Sequence, residues 1–131
     1  MIEYLQLTYC CQDREFTGME TYLEITMEVK DGVIICKDSG YSRGIMPEPA
    51  FEDSSHSREG VYKGDLTAFL EKLESTDFRN WAHEFDDVIM EEGDYYNLKY
   101  KDIGQDMITI GGIENIEEVE QMELLLLSVF D

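Results

Sequence analysis

Positive charge is scarce in this chain. Ten Lys plus Arg stand against 30 Asp plus Glu, a formal net charge of −20 over 131 residues. DNA, RNA and anionic membranes would repel such a surface, so direct binding to nucleic acid or a charged bilayer is not expected. Long apolar runs are missing too. No run approaches the roughly 20 residues a helix needs to cross a bilayer. Met1 is followed by IEYLQLTYCCQ, which lacks the basic start of a secretory leader and reads as a strand. Cysteine is sparse and odd in number: Cys10, Cys11 and Cys36. With no leader expected, this points to free thiols in a reducing, cytoplasmic setting. Cys10 and Cys11, adjacent on a strand, would face opposite ways, so no disulfide between them is expected.

The motifs of familiar chemistry are also absent. The three cysteines, His56 and His83 have no paired C-x-x-C or H-x-x-x-H spacing, so no zinc site is expected. An EF-hand loop with Gly93 in its sixth place would put Val88 first and Lys99 twelfth, where oxygen ligands are required. The glycines at 40, 44, 60 and 64 do not form a phosphate-cradling loop, and no G-x-S-x-G elbow occurs. Ser54, Ser55, His56 and Ser57 are neighbours in DSSHSRE, which does not make a triad, because a nucleophile needs a base held beside it and a third group orienting that base. Paired carboxylates are inevitable among 30 acids and mean catalysis only where burial splits their pKa values. The chain is therefore read as a non-enzyme with no cofactor and no metal.

What is present argues for a folded globule. Eight Tyr, six Phe and one Trp are too many for a disordered acidic tail, and the length suits one domain, residues 1–131. Leu5, Leu7, Tyr9 and Cys11 alternate with Gln6 and Thr8. Leu23, Ile25, Met27 and Val29 alternate with Tyr22, Glu24, Thr26, Glu28 and Lys30. Period two means half-buried strands. Asp31-Gly32 supplies the positive-φ pair of a tight hairpin returning into VIICK. From Asp38 to Gly60 periodicity fails, and both prolines lie here. A long loop is expected, shortened at most by a strand near Tyr41–Met46, and free to close over one sheet face. Asp65 caps a helix whose Leu66, Phe69, Leu70 and Leu73 form one stripe. Phe78, Trp81 and Phe85 continue at helical spacing, as a second short helix or a continuation past a kink, and are read as core. Tyr96, Leu98 and Tyr100 mark a strand, DIGQD a turn and MITI its partner, ended by Gly111-Gly112. Asn115 and Glu118 are spaced as a capping box for a final helix over 115–130. The expected fold is α+β, in the order β-β-β-α-β-β-α, with about five antiparallel strands and the helices on one face.

One stretch of this layout carries a resemblance. FLEKLESTDFRNW, then YYNLKY, then ITIGG and a closing helix resemble an arrangement in small uncharacterised α+β proteins of Gram-positive bacteria, over roughly residues 65–130. A helix-opening proline usual after the last glycine there is missing here. The resemblance implies a fold and no activity.

The acid excess is uneven. Residues 1–40 hold 8 acids and 3 bases, 41–80 hold 8 and 5, and 81–131 hold 14 and 2. A small soluble domain usually carries a net charge of about 2–8 in magnitude, so solubility is a weak reason for this concentration. The expected function is occlusion of a basic protein that handles nucleic acid, as an immunity protein neutralises a cognate toxin nuclease. Asp86, Asp87, Glu91, Glu92, Asp94, Glu117, Glu118 and Glu120 would steer that partner. Tyr41, Phe51, Tyr62 and Tyr95 are the candidate aromatic anchors, tyrosine being enriched at interfaces. The alternatives are a phage-type anti-defence protein that mimics nucleic acid, and a small-molecule or peptide binder closed by the 38–60 loop. The plainest reading leaves the charge as solvation alone.

Overall fold

The structure, a computed structural model, describes residues 1–13, 18–45, 52–81, 93–114 and 116–130, with Asp94 described by its backbone only. Six antiparallel strands form one sheet: β1 (Ile2–Asp13), β2 (Met19–Lys30), β3 (Val33–Gly44), β4 (Ser54–Tyr62), β5 (Gly93–Asp102) and β6 (Ile108–Ile113). Their order is β4-β3-β2-β1-β5-β6. Among the described residues two α-helices, α1 (Leu66–Glu74) and α2 (Glu117–Leu127), accompany the sheet in an α+β fold.

The alternation read from the sequence sets the faces. Leu5 and Leu7 of β1 pair with Met27 and Ile25 of β2 and with Tyr100 and Leu98 of β5, and this column of side chains enters the core. Phe69 and Leu73 of α1 and Val119, Met122 and Leu126 of α2 are buried in the same cluster. Both helices therefore cover one face, and the other, carrying Tyr4, Gln6, Thr8 and Cys10, has no helix on it among the described residues. The β2–β3 connection is the expected two-residue turn, with Asp31 at φ 53° and Gly32 at φ 79°, the left-handed pair that matches strand twist. Asp65 caps α1, its carboxylate accepting from the amides of Thr67 (2.9 Å) and Ala68 (3.3 Å).

The structure departs from expectation at four places. The stretch 38–60 is largely strand: β3 runs on to Gly44, and β4 supplies a sixth strand at the edge. Its core-facing positions are His56, Arg58, Gly60 and Tyr62, opposite Gly40, Asp38, Cys36 and Ile34, so the apolar beat that betrays a strand is missing. Gly111-Gly112 does not end β6. Tyr96 pairs with Ile113 and Leu98 with Ile110, which leaves one extra residue as a bulge. Gly112 sits at φ 66° and its amide donates to Asn97 Oδ1 at 3.0 Å. Among the described residues after α1, up to Trp81, the helical segment is a 3-10 turn, Phe78–Asn80. Left-handed Asp77 (φ 58°) breaks the helix, and Trp81 Nε1 donates to the Thr76 carbonyl at 2.8 Å. Phe78 and Trp81 are core as expected, at 0% and 5% exposed, and Phe85 lies outside the described residues. Finally α2 starts one residue later than a capping box at Asn115 requires: Ile116 holds the cap position with no side-chain cap bond, and Asn115 lies outside the described residues.

Arg79 ties this helical segment to the sheet. Its guanidinium donates to Glu74 (2.7–3.1 Å) and to both Asp102 oxygens, one at 2.7 Å, and lies 4.9 Å from the Phe78 ring centre. The Arg79 hydrogen bonds hold the Asp102 carboxyl below its usual range, against a smaller opposing effect of burial. A depressed carboxylate stabilises the fold above its unfolded pKa, and that contribution disappears as pH falls through the folded pKa. Asp102→Asn is therefore expected to cost about 2 kcal/mol near neutrality, and the gap to wild type should narrow as pH is lowered from neutrality to about 2, as urea unfolding across pH measures. A constant gap down to that pH contradicts the clamp.

Candidate functional site

Three regions carry side chains not spent on the core. The first is the open face of the sheet. Tyr22 and Tyr41 stack with ring centres 5.5 Å apart, and the Arg43 guanidinium lies 5.2 Å from the Tyr41 ring while Nε donates to Glu20 at 2.6 Å. Cys10 and Tyr95 face each other across β1 and β5. Burial, with the adjacent Cys10 adding to it, pushes the Tyr95 hydroxyl up to about 12. Burial also raises the Cys10 thiol, and a hydrogen bond from Tyr95 partly offsets that. The charges of this face balance: Glu20, Glu24, Glu28 and Glu59 stand among Lys37, Arg43, Lys99 and Lys101, by the alternation of the paired strands.

The second region is the start of α2. Glu114, Glu117, Glu118 and Glu120 are all exposed, and none of them makes an ion pair among the described residues. From Asp102 to Asp131 the sequence contains no Lys, Arg or His. Carboxylates in the first turn also suit the positive end of the helix dipole, so part of this cluster serves the helix itself.

The third is a trough between the sheet and the last turns of α2, enclosing about 210 Å³. Two cross-strand rows floor it. One runs Arg58, Asp38, Ile25, Leu7, Leu98; the other runs His56, Gly40, Leu23, Tyr9, Tyr96. Each row begins polar at β4 and becomes apolar or aromatic toward β5. Asp38 is only 6% exposed; its carboxylate accepts from Arg58 Nε at 2.9 Å and lies 3.3 Å from His56 Nε2. Arg58 also lies 4.4 Å from the Phe130 ring centre. At the other end the Tyr96 hydroxyl donates to Glu123 at 2.9 Å, with Tyr9 and Tyr96 ring centres 5.0 Å apart. A Cβ on Gly40 would come within 2.7 Å of the Tyr22 carbonyl oxygen, so the floor is built around a residue without one.

The residues singled out from the sequence are divided among these regions. Glu117, Glu118 and Glu120 share the α2 cluster. Tyr41 and Tyr95 lie on the open face, on different strands and both half-buried. Tyr62 turns to the helix-covered face, where its ring meets Phe69 at 4.7 Å, so it does not join them. Asp86, Asp87, Glu91, Glu92 and Phe51 lie outside the described residues, as does the Asp94 side chain. Sequence reasoning missed Asp38, His56 and Arg58 as a group. The period-two spacing of His56 and Arg58 across SHSREGVY was the available signal, hidden because both are polar, and Asp38 lies 20 residues before Arg58 on β3.

Among the described residues no group of three or more His, Cys, Asp and Glu could hold a metal ion, and no described helix is long and apolar enough to cross a membrane. No family model matches the chain. No curated protein and no solved structure matches it either.

The three thiols differ in burial. Cys36, 0% exposed on the helix-covered face, is pushed by burial to about 12, whereas Cys10 and Cys11 are half-buried. Thiolate is the reactive form. At pH 8 iodoacetamide should label Cys10 and Cys11 in the native protein and leave Cys36 unmodified until unfolding, as peptide mapping by mass spectrometry would show. Labelling of Cys36 at the rate of the other two contradicts this packing.

Proposed function

We propose that this protein is a non-enzymatic binding protein that docks a basic, nucleic-acid-handling protein partner through its acidic helical side and occludes it, as an immunity protein does a toxin. The observation that carries this reading is the segregation of charge. The open sheet face balances its acids with lysines and arginines, and five described cations are held in ion pairs: Lys37, Arg43, Arg58, Arg79 and Lys101. The α2 surface is left with carboxylates alone. A one-signed patch on one side focuses the field and raises the encounter rate with an oppositely charged protein.

The same patch favours steering over imitation of nucleic acid. From Glu117 to Glu123 the described acids span roughly 9 Å of helix axis at 1.5 Å per residue. That is a compact patch rather than a strip of charges following a groove. Phosphate mimicry is therefore the second reading.

The test compares baits. A basic protein captured from the producing cell and released by salt should associate about 10-fold more slowly at low ionic strength with a Glu117→Lys, Glu118→Lys, Glu120→Lys variant. Reversing Glu28 and Glu59 on the open face should change the rate far less, and high salt should erase the difference. Equal association rates for wild type and the α2 variant at low salt would rule the reading out.

A further inference from the structure

We infer that the trough under α2 is a binding site for a small apolar carboxylate, its acid group held by Arg58 and its body lying on Leu7, Leu23 and Ile25. The inference is independent of the docking surface on the outside of α2.

Asp38 is a buried position on the covered face where the core rule is broken. In an antiparallel sheet with one covered face, residues that point to the helices are apolar. Here the columns of β1, β2 and β5 obey, with Leu7, Ile25 and Leu98 at 2%, 4% and 0% exposed. β3 obeys at Ile34 and Cys36, both 0% exposed, and departs at Asp38. Asp38 is only 6% exposed there, and its cross-strand partner Arg58, half exposed at the sheet edge, supplies its counter-charge. Departures of this kind are expected where a site is built.

The arrangement then specifies the ligand. Asp38 takes Nε of Arg58 at 2.9 Å, and the Phe130 ring lies 4.4 Å from the guanidinium carbon. Those two contacts fix the plane of the guanidinium. Its terminal nitrogens make no hydrogen bond among the described residues, so a rigid two-pronged donor remains for an acceptor of matching shape. A carboxylate is that acceptor, since two parallel N–H···O bonds fit it. His56, beside the same Asp38, lines the polar end next to it. Beyond them the floor is apolar across β2 and β1, where a hydrocarbon or aromatic body would rest. A cavity of about 150 Å³ holds benzene, so 210 Å³ suits a ligand of roughly eight to ten non-hydrogen atoms. A single carboxylate fits best. At a net charge of −20 the protein repels anions at long range, and each added charge on the ligand raises that cost.

The probe is phenylacetate, with phenylacetamide and phenethylamine as its neutral and cationic counterparts, titrated into the 15N-labelled full chain. Phenylacetate should bind with a dissociation constant at or below about 1 mM, shifting amides of Leu7, Leu23, Asp38 and Arg58. The amide and the amine should bind at least 10-fold more weakly. Arg58→Gln should weaken phenylacetate about 10- to 100-fold. Because that change also removes a partner from buried Asp38, Arg58→Lys serves beside it: the charge stays, the fork is lost, and several-fold weakening with a native spectrum is expected. Added salt should tighten binding by screening the repulsion, the opposite of its effect on a basic protein partner. Phenethylamine binding more tightly than phenylacetate, wild-type affinity in folded Arg58→Lys, or no shifts at millimolar phenylacetate would each overturn the inference.

Discussion

The pairing of β1 on both of its edges is the constraint on which the rest depends. β1 bonds to β2 through Tyr4–Asp13 and to β5 through Ile2–Gln12. It is the one strand that joins the N-terminal meander, β1 to β4, to the C-terminal hairpin, β5 and β6. The helices follow that division in the chain, α1 after the meander and α2 after the hairpin, yet both bury their apolar stripes on the joined sheet. Leu5 and Leu7, at 0% and 2% exposed, sit at the middle of that surface. A slip of one residue would turn both outward and put Gln6 and Thr8 inward, so the hydrophobic beat of β1 holds the register of the whole sheet.

With register fixed, the two rows that floor the trough follow. Asp38, Arg58 and His56 come from β3 and β4, Tyr96 from β5 and Glu123 from α2, and none would meet without β1 and β2 between them. The same division places charge. Pairing across strands neutralises much of the open face, while α2, preceded by a hairpin return without a basic residue, keeps its carboxylates unneutralised. The described α2 surface thus carries carboxylates as its charged groups, while the trough at the sheet edge carries Arg58 held by buried Asp38.

Much of this was legible in the sequence. β1, β2, the Asp31-Gly32 turn, the Asp65 cap with its leucine stripe and the Tyr96–Tyr100 strand all carry clean periodicity, because each buries one apolar face. The missed strand is β4, an edge strand whose inward residues are His56, Arg58, Gly60 and Tyr62. Its residues from Ser54 to Glu59 are exposed at the sheet edge, so no apolar beat is required of them. Gly111-Gly112 was misplaced because glycine marks both strand ends and bulges, and only pairing with Asn97 distinguishes them. The α2 carboxylates were legible as a cluster. Their isolation from positive charge required the faces to be known. Asp38 and Arg58 are 20 residues apart in sequence, and no local pattern joins them.

The most direct measurement of the central claim, that the acidic helical side is the docking surface, is a hydrogen-exchange footprint of the salt-released basic partner on the full chain. Protection concentrated in residues 117–127, with strands β2 and β3 unchanged, is the predicted result. Protection concentrated on the amides around Tyr22, Tyr41 and Arg43, with α2 unaffected, would place the partner on the charge-balanced open face and contradict the account.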